Sequence, residues 1–134
     1  MTALTASGTA TASDSLLRLA MRVDAVLVGI AGIALLAAAG WFSELTGLSK
    51  PIEYGVGIFS VAYGVVVFAL AAIERVRPAG IGTAIANALC TVIAVTAVLT
   101  MSLTTAGVVV LIATGIYTAV MAEWQYAGVR RIKA

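Results

Sequence analysis

Chemistry in this chain could rest on only a few residues. Asp24 stands at the head of the apolar stretch Ala25 to Phe42, and Glu123 lies seven residues before Arg130 near the other end of the chain. Seven residues of helix rise about 10 Å, which places Glu123 below the headgroup layer of a bilayer. An ionisable group at that depth is costly unless paired or wetted, so both acids are candidates for holding a ligand or a proton. A structural ion pair with Arg22, Arg130 or Arg131 would account for them as well. Thr83, Asn87 and Thr91 recur at helical spacing beside Cys90, and Thr114, Thr118 and Gln125 share a second stripe next to Tyr117. Asn87 and Gln125 are candidate binding groups because a carboxamide both donates and accepts hydrogen bonds. Interhelical hydrogen bonds worth about 1 kcal/mol each would explain the same stripes. Arg75, Arg77, Arg130 and Arg131 are candidates for holding anionic lipid headgroups.

What is missing narrows the chemistry further. The chain has no His and one Cys, Cys90. Histidine-based acid–base catalysis, His-ligated zinc hydrolases and His-ligated haem are therefore excluded, as are an internal disulfide and a two-cysteine redox cycle. No metal site and no cofactor are expected, and nothing supports nucleic-acid binding. The expected class is a non-enzymatic protein.

The elements that must position these residues follow from composition. Of 134 residues 62% are hydrophobic and 10% charged, with a mean hydropathy of +1.11; a soluble domain of this size carries far more charge. Residues 78–122 contain no Asp, Glu, Lys or Arg. A helix needs about 20 apolar residues to cross the hydrocarbon layer, and the chain offers four such windows. The third and fourth are divided at Ser102 to Gly107, where hydroxyl residues can cap a new helix. Strands are not expected, since no window alternates with period two and a membrane sheet would have to close into a barrel. The expectation is an all-α membrane protein, a four-transmembrane-helix antiparallel bundle, with helices over about 14–42, 51–74, 79–102 and 105–130. Residues 1–13, rich in Thr, Ala, Ser and Gly, are expected to form a disordered tail ahead of a single domain, 14–134.

Local signals agree with this division. Ser49-Lys50-Pro51 with Glu53 reads as a helix start with a capping hydroxyl, an early proline and an acid in the first turn. Arg77-Pro78 starts the next helix in the same way. Asp14, Arg18 and Arg22 fall on one face of an extension that leads into the first span. Ala25/Gly29, Ser60/Gly64, Ala84/Ala88 and Gly115/Ala119 have the small-xxx-small spacing that lets helices approach closely, within one chain or between two copies. Seven of the eight Lys and Arg residues fall on the side of the termini and only Lys50 on the other. The positive-inside rule then puts both termini in the cytoplasm and the chain in the cell (inner) membrane.

The segments Arg22-Val23-Asp24-Ala25, Leu45-Thr46-Gly47-Leu48 and Gln125-Tyr126-Ala127-Gly128-Val129-Arg130-Arg131 resemble those of uncharacterised small four-helix integral membrane proteins of high-GC actinobacteria. The resemblance covers most of the chain from Leu16 and implies no activity. Size and helix count are also similar to the small multidrug resistance transporters, but their glutamate within the first span has no counterpart inside Ala25 to Phe42. The four-helix quinone-linked thiol oxidoreductases need a second cysteine. Three functions fit these residues: a scaffold or accessory subunit of a membrane assembly, a proton-coupled small-molecule or cation transporter working as a homodimer, and a lipid-binding protein. The expected partners are membrane lipids and either a second copy or another membrane protein. Any pocket is expected to open at the cytoplasmic end, near Asp24, Asn87, Glu123 and Gln125.

Overall fold

The computed structural model describes the backbone from Thr2 to Ile132 and side chains from Ser13 onward. Within those limits the chain forms five helices and no strand: α1 (Thr2–Ala37), α2 (Ala39–Thr46), α3 (Lys50–Leu70), α4 (Arg77–Thr100) and α5 (Thr105–Arg130). Four of them, α1 from Ser13, α3, α4 and α5, are long and apolar enough to cross a membrane. Their outer faces carry large apolar side chains such as Leu99, 78% exposed, with Val65 and Ile93. That is the surface of a protein solvated by lipid. The tail expected over 1–13 lies almost wholly outside the residues with described side chains, and the α1 backbone runs back through it to Thr2.

The first span differs from expectation in a way that matters for the site. A single helix to residue 42 is replaced by α1 ending at Ala37, a kink at Ala38 (φ −135°, ψ 35°), and the short α2. The described part of this apolar helix runs from Ser13 to Ala37, and Asp24 lies within it rather than at its head. The extension carrying Asp14 and Arg18 is simply the first part of this helix. Arg18 joins Asp14 at 2.9 Å and donates to the carbonyls of Ala71 (2.7 Å), Ile73 (2.7 Å) and Glu74 (3.1 Å). It thereby satisfies the orphan carbonyls where α3 ends, at Leu70 rather than near residue 74.

Two hairpins make the bundle. α1 packs along α3 and α4 along α5; α1 also meets α5, while α3 and α4 barely touch. The α1–α3 seam depends on absent side chains: a Cβ on Gly64 would come within 2.7 Å of the Ala25 carbonyl, and one on Gly32 within 2.8 Å of the Gly57 carbonyl. Ala25/Gly29 and Ser60/Gly64 thus serve packing within the chain. At the end holding the termini, Leu17 wedges between Gly80 of α4 and Gly128 of α5. With Met21, Ala25, Val67, Ala71, Val76 and Val129 it forms a buried apolar cluster.

At the opposite end α2 lies against the starts of α3 and α5. Gly47 closes α2 in the left-handed conformation (φ 83°), which disfavours residues bearing a Cβ. The Thr46 carbonyl accepts the Thr104 amide at 3.1 Å. Thr104 caps α5 by accepting from the Gly107 amide at 2.9 Å, as its hydroxyl suggests. Ser49, by contrast, makes no side-chain cap to α3; Pro51 in the first turn has no amide to satisfy there.

Candidate functional site

Asp24 is the centre of a polar cluster drawn from all four long helices. Its carboxylate is 0% exposed. Oδ2 accepts from Tyr63 of α3 at 2.6 Å, from Asn87 Nδ2 of α4 at 2.9 Å and from Gln125 Nε2 of α5 at 2.9 Å. Oδ1 accepts from the Tyr117 hydroxyl of α5 at 2.8 Å. A carboxylate offers about four acceptor sites, and four donors reach this one, three on Oδ2 and one on Oδ1. All four are neutral, and among the described residues no cation pairs with it; the ion pair that is present joins Arg18 and Asp14.

The cluster closes on itself. Asn87 also donates to Gln125 Oε1 at 3.0 Å, and its two N–H groups are shared with the Tyr63 oxygen and the Thr83 carbonyl, both at 3.1 Å. One turn further along α4, Thr91 bonds the Thr118 hydroxyl at 2.7 Å and the Gly115 carbonyl at 3.1 Å. The polar stripes of α4 and α5 therefore face each other and Asp24, the arrangement that polar groups in hydrocarbon require. Thr114 bonds only the Val110 carbonyl of its own helix.

A cavity of about 650 Å³ adjoins this cluster on the side away from the termini. Its walls come from both hairpins and include Leu27, Leu35, Val56, Phe59, Val110 and Ala113; Tyr63, Asn87 and Tyr117 supply its polar end, and Cys90 lines it as well. It exists because α3 and α4 stay apart. The expected position of a pocket differs from this: among the described residues Leu17 and Met21 are buried at the end near the termini, and the cavity beside the cluster lies in the other half of the bundle.

Of the residues singled out from sequence, the structure brings Asp24, Asn87 and Gln125 together. Glu123 is exposed on the outer face of α5 and takes no part in the cluster. Arg75, Arg77, Arg130 and Arg131 all lie at the end of the bundle with the termini. There Arg77 Nε donates to the Ile132 carbonyl at 3.3 Å, and Arg130 sits 5.6 Å from the centre of the Tyr126 ring. Arg75 and Arg131 are exposed. Sequence reasoning missed Tyr63. Its signal was position: a tyrosine in mid-span, away from the interfacial belts where tyrosine collects, must find a partner for its hydroxyl inside the protein.

Each tyrosine spends its one hydrogen on Asp24, so its oxygen can act only as an acceptor, and the Tyr63 oxygen already accepts from Asn87. Among the described residues no group of three His, Cys, Asp or Glu side chains could hold a metal ion. Comparison with protein families, curated proteins and solved structures finds no match for the chain.

Proposed function

We propose that this is a non-enzymatic membrane module whose work is done by the cavity between its two hairpins: it binds an amphiphilic molecule taken from the bilayer. The observation that carries this reading is the joining of an apolar chamber of about 650 Å³ to one polar end. That end is organised by a carboxylate buried within a span. An apolar pocket with a few convergent polar groups is the usual form of a small-molecule site, and an intramembrane acid is a functional group by default. The absence of His and the lone Cys in the sequence support a binding role over catalysis. The excess of Lys and Arg beside the termini supports a cell-membrane location with both termini cytoplasmic.

The purified protein tests this reading directly. Extracted from membranes in mild detergent, it should retain an amphiphile visible by native mass spectrometry. Ala113→Phe, which fills the chamber from α5, should abolish that retention without unfolding the bundle. Equal retention by the filled variant would refute the assignment.

A further inference from the structure

The chamber's polar end also selects what it can hold. We propose that the ligand is a lipophilic monocation, an ammonium on an apolar body, with Asp24 as its countercharge acting through the hydroxyls of Tyr63 and Tyr117. This rests on the reading of the cavity as a ligand site and specifies its occupant.

The first argument is hydrogen-bond polarity. Tyr63 and Tyr117 both donate to Asp24, so the carboxylate fixes their hydrogens away from the chamber. A ligand at this end meets the Tyr117 oxygen and the part of the Tyr63 oxygen that Asn87 leaves open, acceptors that favour a donor. Ser60, one turn before Tyr63 on α3, lines the same chamber. It is buried and has no hydrogen-bond partner among the described residues, so its hydroxyl is open to the same head group.

The second argument is charge. Asp24 is the one acidic side chain of the cluster, its four donors are neutral, and no cation pairs with it among the described residues. A positive head on the tyrosine oxygens would lie one hydroxyl away from Asp24 in a low-dielectric interior, where attraction is much stronger than in water. An anionic head would be repelled from the same position. The third argument is the wall: Phe59 and Tyr63 stack with ring centres 6.0 Å apart, and with Tyr117 they line the chamber. Aromatic faces attract cations, and the remaining lining accommodates an alkyl body.

The test uses the full chain in nanodiscs, with empty nanodiscs as background, and three probes of equal chain length: decylammonium, decanol and decanoate. Wild type should bind the ammonium on the order of 30-fold more tightly than the alcohol, and the carboxylate least. Asp24→Asn should erase the preference for the ammonium while leaving decanol binding in place. Phe59→Leu does not touch the hydrogen-bonded cluster and covers the case in which Asp24→Asn fails to fold; it should weaken ammonium binding about threefold, in keeping with the loss of one cation–π contact. Equal affinity for ammonium and alcohol, or an equal loss of both in Asp24→Asn, overturns the cation assignment and leaves the amphiphile site standing. No binding of any probe overturns both.

Discussion

Gln125 Nε2 donates to Asp24 Oδ2 at 2.9 Å, across 101 positions of chain, and both side chains are 0% exposed. This contact joins the middle of α1 to the last turns of α5 and so ties one hairpin to the other. Because lipid gives no hydrophobic drive for helices to associate, such a bond also selects the helix arrangement. The residues at the polar end of the cavity thus also hold the bundle together.

Asp24→Leu removes the acceptor of four buried donors, two of them on tyrosines that line the cavity. Leaving buried donors unsatisfied costs about 1–3 kcal/mol per group in water-soluble proteins, with incomplete additivity. The expected loss is about 3–5 kcal/mol overall, toward the lower end of the sum over four donors. Asp24→Asn keeps one acceptor and should lose less. Unfolding in mixed micelles, read by circular dichroism, checks the order; a Leu variant as stable as wild type would show that the cluster does not organise the bundle.

Glycine positions should divide by what their missing side chains leave room for. A Cβ on Gly107 would overlap the Thr46 carbonyl, and one on Gly128 would come within 2.7 Å of Leu17 Cα, whereas Gly55 and Gly82 have nothing within 4 Å. Gly107→Ala and Gly128→Ala should each cost about 1–3 kcal/mol through forced backbone shifts. Gly55→Ala and Gly82→Ala should be neutral or slightly stabilising, since alanine is the better helix former. Melting temperatures of the four variants in one detergent decide the matter.

Much of this architecture was legible in the sequence because bilayer thickness and charge-free length constrain each other. The site was legible only in part. Asn87 and Gln125 stood out because a carboxamide in a charge-free run must face protein. Asp24 was placed at the edge of its span because a window that begins after the last charge cannot tell an acid facing the bundle from one facing water. The same blindness made Glu123 look buried, whereas rotation of α5 turns it outward while Gln125, two residues on, turns in. The cavity depends on α3 and α4 standing apart, and connection lengths do not record that.

Arg18 should matter more than its place near the start of the first span suggests. It bonds three carbonyls at the end of α3 and holds Asp14, which is itself 8% exposed. Arg18→Met should cost about 1–3 kcal/mol by leaving those acceptors without their charged donor. The effect should be local: hydrogen exchange at Ala72 and Ile73, whose amides bond Ala69 and Leu70, should quicken while the amides of α5 do not. The pair Asp14→Asn with Arg18→Met should recover part of the loss, because the stranded carboxylate is then gone. A uniform change across all helices would contradict a local brace.

Cys90 offers a reading of cavity occupancy that does not disturb the polar cluster. It is the sole thiol in the sequence, half-buried, and it lines the cavity three residues from Asn87. A small neutral maleimide should reach it through the chamber, whereas a charged methanethiosulfonate should react far more slowly. If decylammonium occupies the chamber, maleimide labelling should slow as the empty fraction falls, by about tenfold at a concentration ten times its dissociation constant. Moving the thiol to the exposed face of α4, with Cys90→Ala and Ala88→Cys, should remove that protection. Labelling of Cys90 that is indifferent to decylammonium at saturating concentration would show that this probe does not enter the chamber.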